Sequence, residues 1–120
     1  MVTAEWAVAD CARILPRRDA LIVADAALHF GKCTAADLEV VIGVLGRAKG
    51  IGRVRWISAN ADGRSESPGE TWTRMVVKDL GYEVECQFTV IDGTDRRRID
   101  LLIAGTKVGL EFDGLLKYGE

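Results

Sequence analysis

Apolar residues recur at helical spacing through the first sixty positions of the chain. In the stretch WAVADCARIL they return every three or four residues, and Pro16 ends the pattern because proline lacks the backbone N–H that a helix interior needs. Asp19 and Thr34 stand where the N-caps of two further helices are expected, and Gly31 stands where the earlier one ends. The pattern predicts four helices, at about 5–15, 19–31, 34 to 46 or 50, and 51–61.

The segment SPGETWTRMVVKDLG predicts a fifth helix. Ser67 is a suitable cap, Pro68 suits the first helical position, and Glu70 follows the serine by three residues, as in a capping box. Gly81 ends the helix. The apolar residues that share one face are Trp72, Met75, Val76 and Leu80. We expect the tryptophans, Trp72 among them, to lie in the core.

Beyond residue 81 the period changes to two. Apolar and polar residues alternate from Tyr82 to Val90, which predicts a strand with one solvated face. Turn residues at 92–93 and 105–106 separate it from two further strands, at about 96–103 and 107–113. The expected fold class is α/β, in the α+β arrangement. A helical segment at 1–62 precedes a helix-β-β-β core at 63–120, and the two are expected to pack as one compact unit.

Three carboxylates interrupt the last two strands. On the alternating strand 107–113, Glu111 and Asp113 fall on one face, and Asp100 belongs to the strand before it. Converging carboxylates raise one another's pKa unless a cation neutralises them. Oxygen ligands suit Mg²⁺ or Mn²⁺ rather than zinc. The alternative is a solvated face on which these acids pair with Lys107 or with the arginines at 96–98.

Composition narrows the choice of function. Sixteen basic and 18 acidic residues give a net charge of −2, so any nucleic-acid contact must come from a local patch. Such a patch in the helical half would consist of Arg47, Lys49, Arg53 and Arg55. The three cysteines lack the spacing of a disulfide framework or a zinc site. His29, the only histidine, is expected to serve a helix end rather than a metal. No signal-peptide pattern opens the chain, so we expect a cytoplasmic protein.

The order of helix with SPGE, strand, strand with RIDLLI, turn, strand with LEFDG and then a basic residue in LLKYG resembles the PD-(D/E)XK restriction-endonuclease-like fold. In particular, it resembles the branch related to very-short-patch repair endonuclease, as found at the C-terminal end of actinobacterial AbiEi-type antitoxin proteins. The segment VADCARILPRRDALIVADAALHFGKCTAADL is similar to the helical part that precedes the nuclease-like region there.

The resemblance implies a site for hydrolysis of a DNA phosphodiester. Asp100 and Glu111 would be the metal ligands, with Mg²⁺ or Mn²⁺ as the cofactor. Asp113 stands where many family nucleases have lysine, and is a third candidate ligand. Lys117 takes the place of a later histidine. Glu70 would be the acidic residue of the first helix, with Glu66 as the nearby alternative and a capping-box role as the other interpretation of Glu70. Because lysine is normally charged at neutral pH, Lys117 would stabilise negative charge rather than transfer a proton.

Two further expectations follow from the resemblance. The family continues with a helix and a strand beyond the third strand, so a core that ends here would expose a sheet edge or face, and we expect a homodimer through it. The alternative function is a non-catalytic antitoxin or phage-type interaction protein, or a regulator, built on a decayed nuclease fold and acting through a protein partner.

Overall fold

A computed structural model describes residues 3–92, 95–103, 108–111 and 114–117, with side chains from residue 3 to residue 87. The elements in chain order are α1 (Ala4–Ile14), α2 (Arg17–His29), α3 (Ala35–Leu45), α4 (Ile51–Asn60), α5 (Pro68–Asp79), β1 (Val84–Asp92), β2 (Asp95–Ile103), β3 (Val108–Glu111) and β4 (Gly114–Lys117). The chain divides into two compact units, which we call unit 1 (Met1–Glu66) and unit 2 (Ser67–Glu120).

Unit 1 consists of the four helices α1 to α4, as the apolar spacing predicts. Small residues allow the helices to approach closely, and larger apolar side chains fill the space between them. The fully buried apolar side chains of this core are Val8, Ala9, Ala12, Ala20, Leu21, Ala24, Leu38, Val41, Val54 and Ile57. The core therefore draws on every helix of the unit.

Local sequence explains where these helices begin and end. Leu15, ahead of Pro16, is extended and closes α1. The N-cap of α2 is Pro16, and Asp19 lies in the first turn instead of capping the helix as expected. At α3 the Thr34 hydroxyl accepts a hydrogen bond from the Asp37 N–H at 3.1 Å, and the Asp37 carboxylate accepts one from the Thr34 N–H at 2.9 Å. This is a complete capping box.

Unit 2 begins with α5, whose N-cap is Ser67, as predicted. The Ser67 hydroxyl accepts a hydrogen bond from the Glu70 N–H at 3.2 Å. The helix contacts β1 and β2, and its fully buried residues are Glu70, Thr71 and Arg74. The expectation that Trp72 lies in the core is wrong, because 50% of its surface is exposed. The apolar face of α5 is on the exposed side of the helix, about half a turn from its buried residues.

The four strands of unit 2 form one antiparallel meander in the order β1-β2-β3-β4. The predicted fold class, with its truncated restriction-endonuclease-like helix-β-β-β core, is wrong. Most of the described residues are helical. The segment Gly114–Lys117, which the prediction left outside the sheet, is a fourth strand. It pairs with β3 from Val108↔Lys117 to Glu111↔Gly114. This pairing gives the backbone N–H and C=O groups of β3 hydrogen-bond partners on the side away from β2.

Candidate functional site

A buried polar cluster lies where α5 contacts the sheet. Glu70 and Arg74 follow one another by one helical turn on the buried side of α5, and each is 5% exposed or less. Nε2 of Gln87, on β1, donates a hydrogen bond to Oε2 of Glu70 at 3.2 Å. Burial of charged groups is costly unless they are paired or hydrogen-bonded. We take the Glu70 carboxylate and the Arg74 guanidinium as the starting point of a candidate site in unit 2.

Gln87 has two unusual properties in this cluster. Its φ of +55° is the only positive φ of a non-glycine residue in the described part of the chain. Its Oε1 is buried and makes no hydrogen bond within the described structure. An orphaned buried acceptor carries a desolvation cost that a bound cation or water would remove. Gln87 was not predicted as a site residue, because it falls on the expected solvated face of an alternating strand.

The strand register relates two of the predicted site residues to Gln87. The pairs Cys86↔Leu101 and Phe88↔Ile99 flank Gln87 on β1 and Asp100 on β2. The pair Leu101↔Leu110 is followed along the two strands by Asp100 on β2 and Glu111 on β3. Neighbouring strands lie about 4.8 Å apart. We call these three positions, Gln87, Asp100 and Glu111, the acidic row.

Glu70 is connected to the acidic row through its hydrogen bond with Gln87. Asp113 lies outside the described residues. Lys117 is not brought to the row, because it pairs with Val108, three positions from Glu111 along β3. Three positions correspond to about 10 Å along the strand.

The donor types of the acidic row fit a hard cation. Two carboxylate positions and one amide carbonyl form an all-oxygen set, the kind that Mg²⁺ and Mn²⁺ prefer. Among the described side chains, which end at Gln87, no group of three histidine, cysteine, aspartate or glutamate residues could hold a metal ion. The side chains of Asp100 and Glu111 lie beyond that range, and the metal site stays a prediction.

Unit 1 has a separate buried carboxylate. Asp25 on α2 is 1% exposed, and its Oδ1 accepts a hydrogen bond from the Asp62 N–H at 2.7 Å. One turn later on α2, Nδ1 of His29 lies 2.9 Å from the Gly63 carbonyl oxygen. Both side chains therefore hold the segment after α4 against α2. This arrangement is structural, and it gives His29 a partner in the segment after α4, whereas the sequence predicted a role at the end of its own helix.

The cysteines and the basic residues of unit 1 are also placed by the structure. Cys11, Cys33 and Cys86 are free thiols. Burial, reinforced by the charges of Asp37 and Glu5, raises the pKa of the Cys33 thiol above its ordinary value of 9.0. The four residues of the predicted basic patch are exposed: Arg47, Lys49, Arg53 and Arg55. No helix among the described residues has the length and apolar character that a membrane crossing requires.

Comparisons with known proteins leave the family open. No family model matches the chain, and no solved structure matches it. The chain is 30% identical over 112 residues to "Uncharacterized protein MT2308" of Mycobacterium tuberculosis (strain CDC 1551 / Oshkosh). The same identity and length hold for "Uncharacterized protein Rv2248" of Mycobacterium tuberculosis (strain ATCC 25618 / H37Rv). In both cases the similarity covers 92% of this chain and 41% of the relative's length.

Proposed function

We propose that unit 2 is a metal-dependent phosphodiesterase acting on DNA, with Asp100 and Glu111 as ligands of Mg²⁺ or Mn²⁺. The observation that supports this proposal is the register of the sheet, in which Asp100 on β2 and Glu111 on β3 directly follow the paired residues Leu101 and Leu110. DNA as the substrate comes from the resemblance of the RIDLLI and LEFDG motifs to nucleases. The proposal does not depend on the three-stranded core, which the structure replaces with a four-stranded meander.

The residues around the acidic row have separate roles in this proposal. Asp100 and Glu111 supply the anionic oxygens, and Gln87 supplies a neutral one through its buried Oε1. Glu70 positions the Gln87 amide, because its Oε2 accepts the hydrogen bond from Nε2. The other amide atom, Oε1, is then the one that can serve as a metal ligand. A bound Mg²⁺ would polarise the phosphate and lower the pKa of the attacking water. Arg74, buried one turn from Glu70, offsets part of the negative charge.

Calorimetric titration with MnCl₂ tests the site directly. We expect saturable binding to the wild-type chain and its loss in Asp100→Asn and Glu111→Gln, since each removes an anionic ligand. Glu83→Gln is the matched control, because Glu83 is exposed ahead of β1 and the change in charge is the same. Equal binding by all four proteins would refute the metal site.

A plasmid-nicking assay tests the reaction itself. Nicking should require Mg²⁺ or Mn²⁺, stop on addition of a chelator, and be lost in Asp100→Asn but not in Glu83→Gln. If the metal binds at the row and purified wild type never nicks DNA, the site is real and the proposed reaction is wrong.

A second candidate function, a non-catalytic interaction protein, is favoured by the apolar face of α5. Its exposed side chains, with that of Tyr82 beside them, are Trp72, Val76 and Leu80. Exposed apolar patches commonly mark contact surfaces, and we take a second copy of the chain as the occupant. Sedimentation analysis should then show a wild-type dimer and a monomer for Leu80→Lys, with the exposed Val44→Lys in unit 1 as the control. A wild-type monomer at all concentrations would exclude this role.

A further inference from the structure

Four cationic residues lie together on unit 1, where the last turn of α1 meets the connection between α3 and α4. Nε of Arg13 donates a hydrogen bond to the Lys49 carbonyl oxygen at 2.8 Å. Nη1 of Arg53 donates one to the Arg13 carbonyl oxygen at 3.3 Å. Arg47 belongs to the same connection, two positions before Lys49. We call Arg13, Arg47, Lys49 and Arg53 the basic cluster.

Gly50 allows Arg13 to join this cluster. Its φ of +85° is a conformation that favours glycine, and it is the N-cap of α4. A Cβ at this position would lie only 3.2 Å from Cγ and 3.5 Å from Nε of Arg13. The glycine therefore leaves room for the Arg13 side chain to lie across the turn. The sequence did not predict this contact, because Arg13 and Lys49 are 36 positions apart in the chain.

The positive charge of the basic cluster is not neutralised within the described part of the chain. Three members are exposed, and Arg13 is half-buried. None of the four forms an ion pair with a described acidic residue. The acceptors of the Arg13 and Arg53 side chains are neutral backbone carbonyl oxygens. Because a guanidinium has five N–H donors, both arginines keep donors for an external partner.

The dipole of α4 adds to this positive potential. The helix begins at the cluster, its first turn contains no acidic residue, and Arg53 is its third residue. The N-terminus of a helix carries about half a positive charge, so cations near it are unfavourable in the free protein. An anion bound at this surface would relieve that repulsion.

We propose that the basic cluster is a binding surface for the phosphate backbone of duplex DNA. Each cation contacts its own phosphate in such a complex, so the four groups need only share an exposed surface and need not converge on one anion. Both strands of a duplex present phosphates, about one charge per 1.7 Å of axis, which suits several separate cations. The surface belongs to unit 1 and requires no metal ion at the acidic row.

The basic cluster differs from the basic patch expected from the sequence. It gains Arg13, which only the tertiary structure brings to Lys49. It excludes Arg55, which lies two positions after Arg53 on α4, because residues two positions apart do not face each other on a helix.

An anionic membrane fits this surface less well than DNA. Helices that lie on a membrane carry cations along one polar face and several large apolar side chains along the other. Here the cations come from the end of α1, from a turn and from the start of α4. The exposed Ile14 beside Arg13 is one apolar side chain where such helices offer several.

Fluorescence anisotropy of a short labelled DNA duplex, titrated with the full chain in the presence of a chelator, tests this surface. We expect saturable binding whose logarithm falls linearly with the logarithm of the salt concentration, with a slope of about −3 to −4 for four phosphate contacts. Asp100→Asn should bind the duplex as wild type does. Failure of the proposed metal site and failure of this surface are therefore distinguishable.

Single-charge variants locate the binding. Arg47→Gln and Lys49→Gln change side chains that form no hydrogen bond or ion pair in the described structure, so the fold should be kept. Each should weaken binding several-fold and reduce the salt slope by about 1. Lys32→Gln is the matched control, because Lys32 is exposed ahead of α3. It lies at the other end of that 11-residue helix, which is about 16 Å long. This variant should change the affinity less than twofold.

Three results would overturn the proposal. The first is the absence of saturable duplex binding at low salt, and the second is an equal effect of Lys49→Gln and Lys32→Gln. The third comes from vesicles that contain phosphatidylserine, used in place of the duplex. Binding of the vesicles without binding of DNA would assign the basic cluster to a membrane surface.

Discussion

Nε2 of Gln87 donates a hydrogen bond to Oε2 of Glu70 at 3.2 Å, and the strand pairs on either side of this glutamine also flank Asp100. This relationship connects the buried carboxylate of α5 to the acidic row. Gln87 also has a φ of +55°, a conformation that costs a residue with a Cβ about 1–2 kcal/mol. Backbone strain of this kind is commonly found at functional sites.

The strain at Gln87 predicts an order of stability between two variants. Gln87→Gly and Gln87→Ala both lose the hydrogen bond to Glu70, but only glycine adopts a positive φ without cost. The glycine variant should therefore be the more stable, by roughly 1 kcal/mol in urea denaturation. Glu85 on the same strand lacks a positive φ, so it serves as the control. There the alanine variant, Glu85→Ala, should be more stable than Glu85→Gly. A Gln87→Ala variant as stable as Gln87→Gly would contradict the strain.

The Asp25 carboxylate predicts a specific loss of stability in unit 1. Asp25→Ala removes the acceptor of the Asp62 N–H and should lower the free energy of unfolding by about 2 kcal/mol. Asp25→Asn keeps an acceptor oxygen at this position and should lower the free energy of unfolding by a smaller amount. Asp10 is exposed on α1, and Asp10→Ala should change stability by less than about 0.5 kcal/mol. Similar losses for Asp25→Ala and Asp10→Ala would show that the buried contact is unimportant.

The capping box of α3 predicts a smaller loss of stability than the Asp25 hydrogen bond. Thr34→Ala removes the side-chain acceptor of the Asp37 N–H and should cost about 1 kcal/mol, measured by thermal or urea denaturation. Thr34→Ser keeps the hydroxyl and should stay close to wild type. If serine and alanine destabilise the protein equally, the methyl group of Thr34 contributes the stability, and the hydrogen bond does not.

The buried thiol of Cys33 predicts a dependence of stability on pH. Its pKa is raised in the folded state, first by burial and then by the charges of Asp37 and Glu5. The folded chain therefore keeps the thiol proton at a pH where the unfolded chain loses it. This stabilising contribution is fully present below pH 9.0, the ordinary pKa of the thiol, and is lost as the pH rises through the folded-state pKa.

Urea denaturation of wild type and Cys33→Ala, at a series of pH values from neutral to strongly alkaline, measures this dependence. The alanine variant loses a constant amount of packing energy at every pH but lacks the titrating thiol. The free energy of unfolding should fall more steeply with pH in wild type than in the variant. Parallel curves would mean that the Cys33 pKa is the same in both states.

Local sequence was sufficient to locate most of the helices and the first two strands. Helix-capping residues and helix-breaking residues act on backbone groups only a few positions away. Thr34 and Ser67 start their helices through hydrogen bonds that span three positions, and Pro16 ends a helix through its own ring. The last strand, Gly114–Lys117, was missed because four residues carry too little periodicity to identify a strand. Its pairing with β3 is a long-range property of the sheet.

The candidate site was predictable only in part. Asp100 and Glu111 were identified from acids that interrupt apolar strands, and their role as metal ligands stays a prediction. Gln87 and Asp25 were missed, since a glutamine on an alternating strand and an aspartate on a helix both look solvated until their neighbours are known. Their burial follows from contacts with residues 17 and 37 positions away in the chain.

Periodicity along the chain is enough to predict which residues share a face of each element, because the periods of helix and strand are properties of the backbone. The predicted apolar face of α5 comprised Trp72, Met75, Val76 and Leu80, of which Trp72, Val76 and Leu80 are exposed. Packing in the folded chain buries the opposite face instead, with Glu70 and Arg74. Which face is buried depends on the partner that packs against the helix, and here that partner includes Gln87, whose amide binds the Glu70 carboxylate.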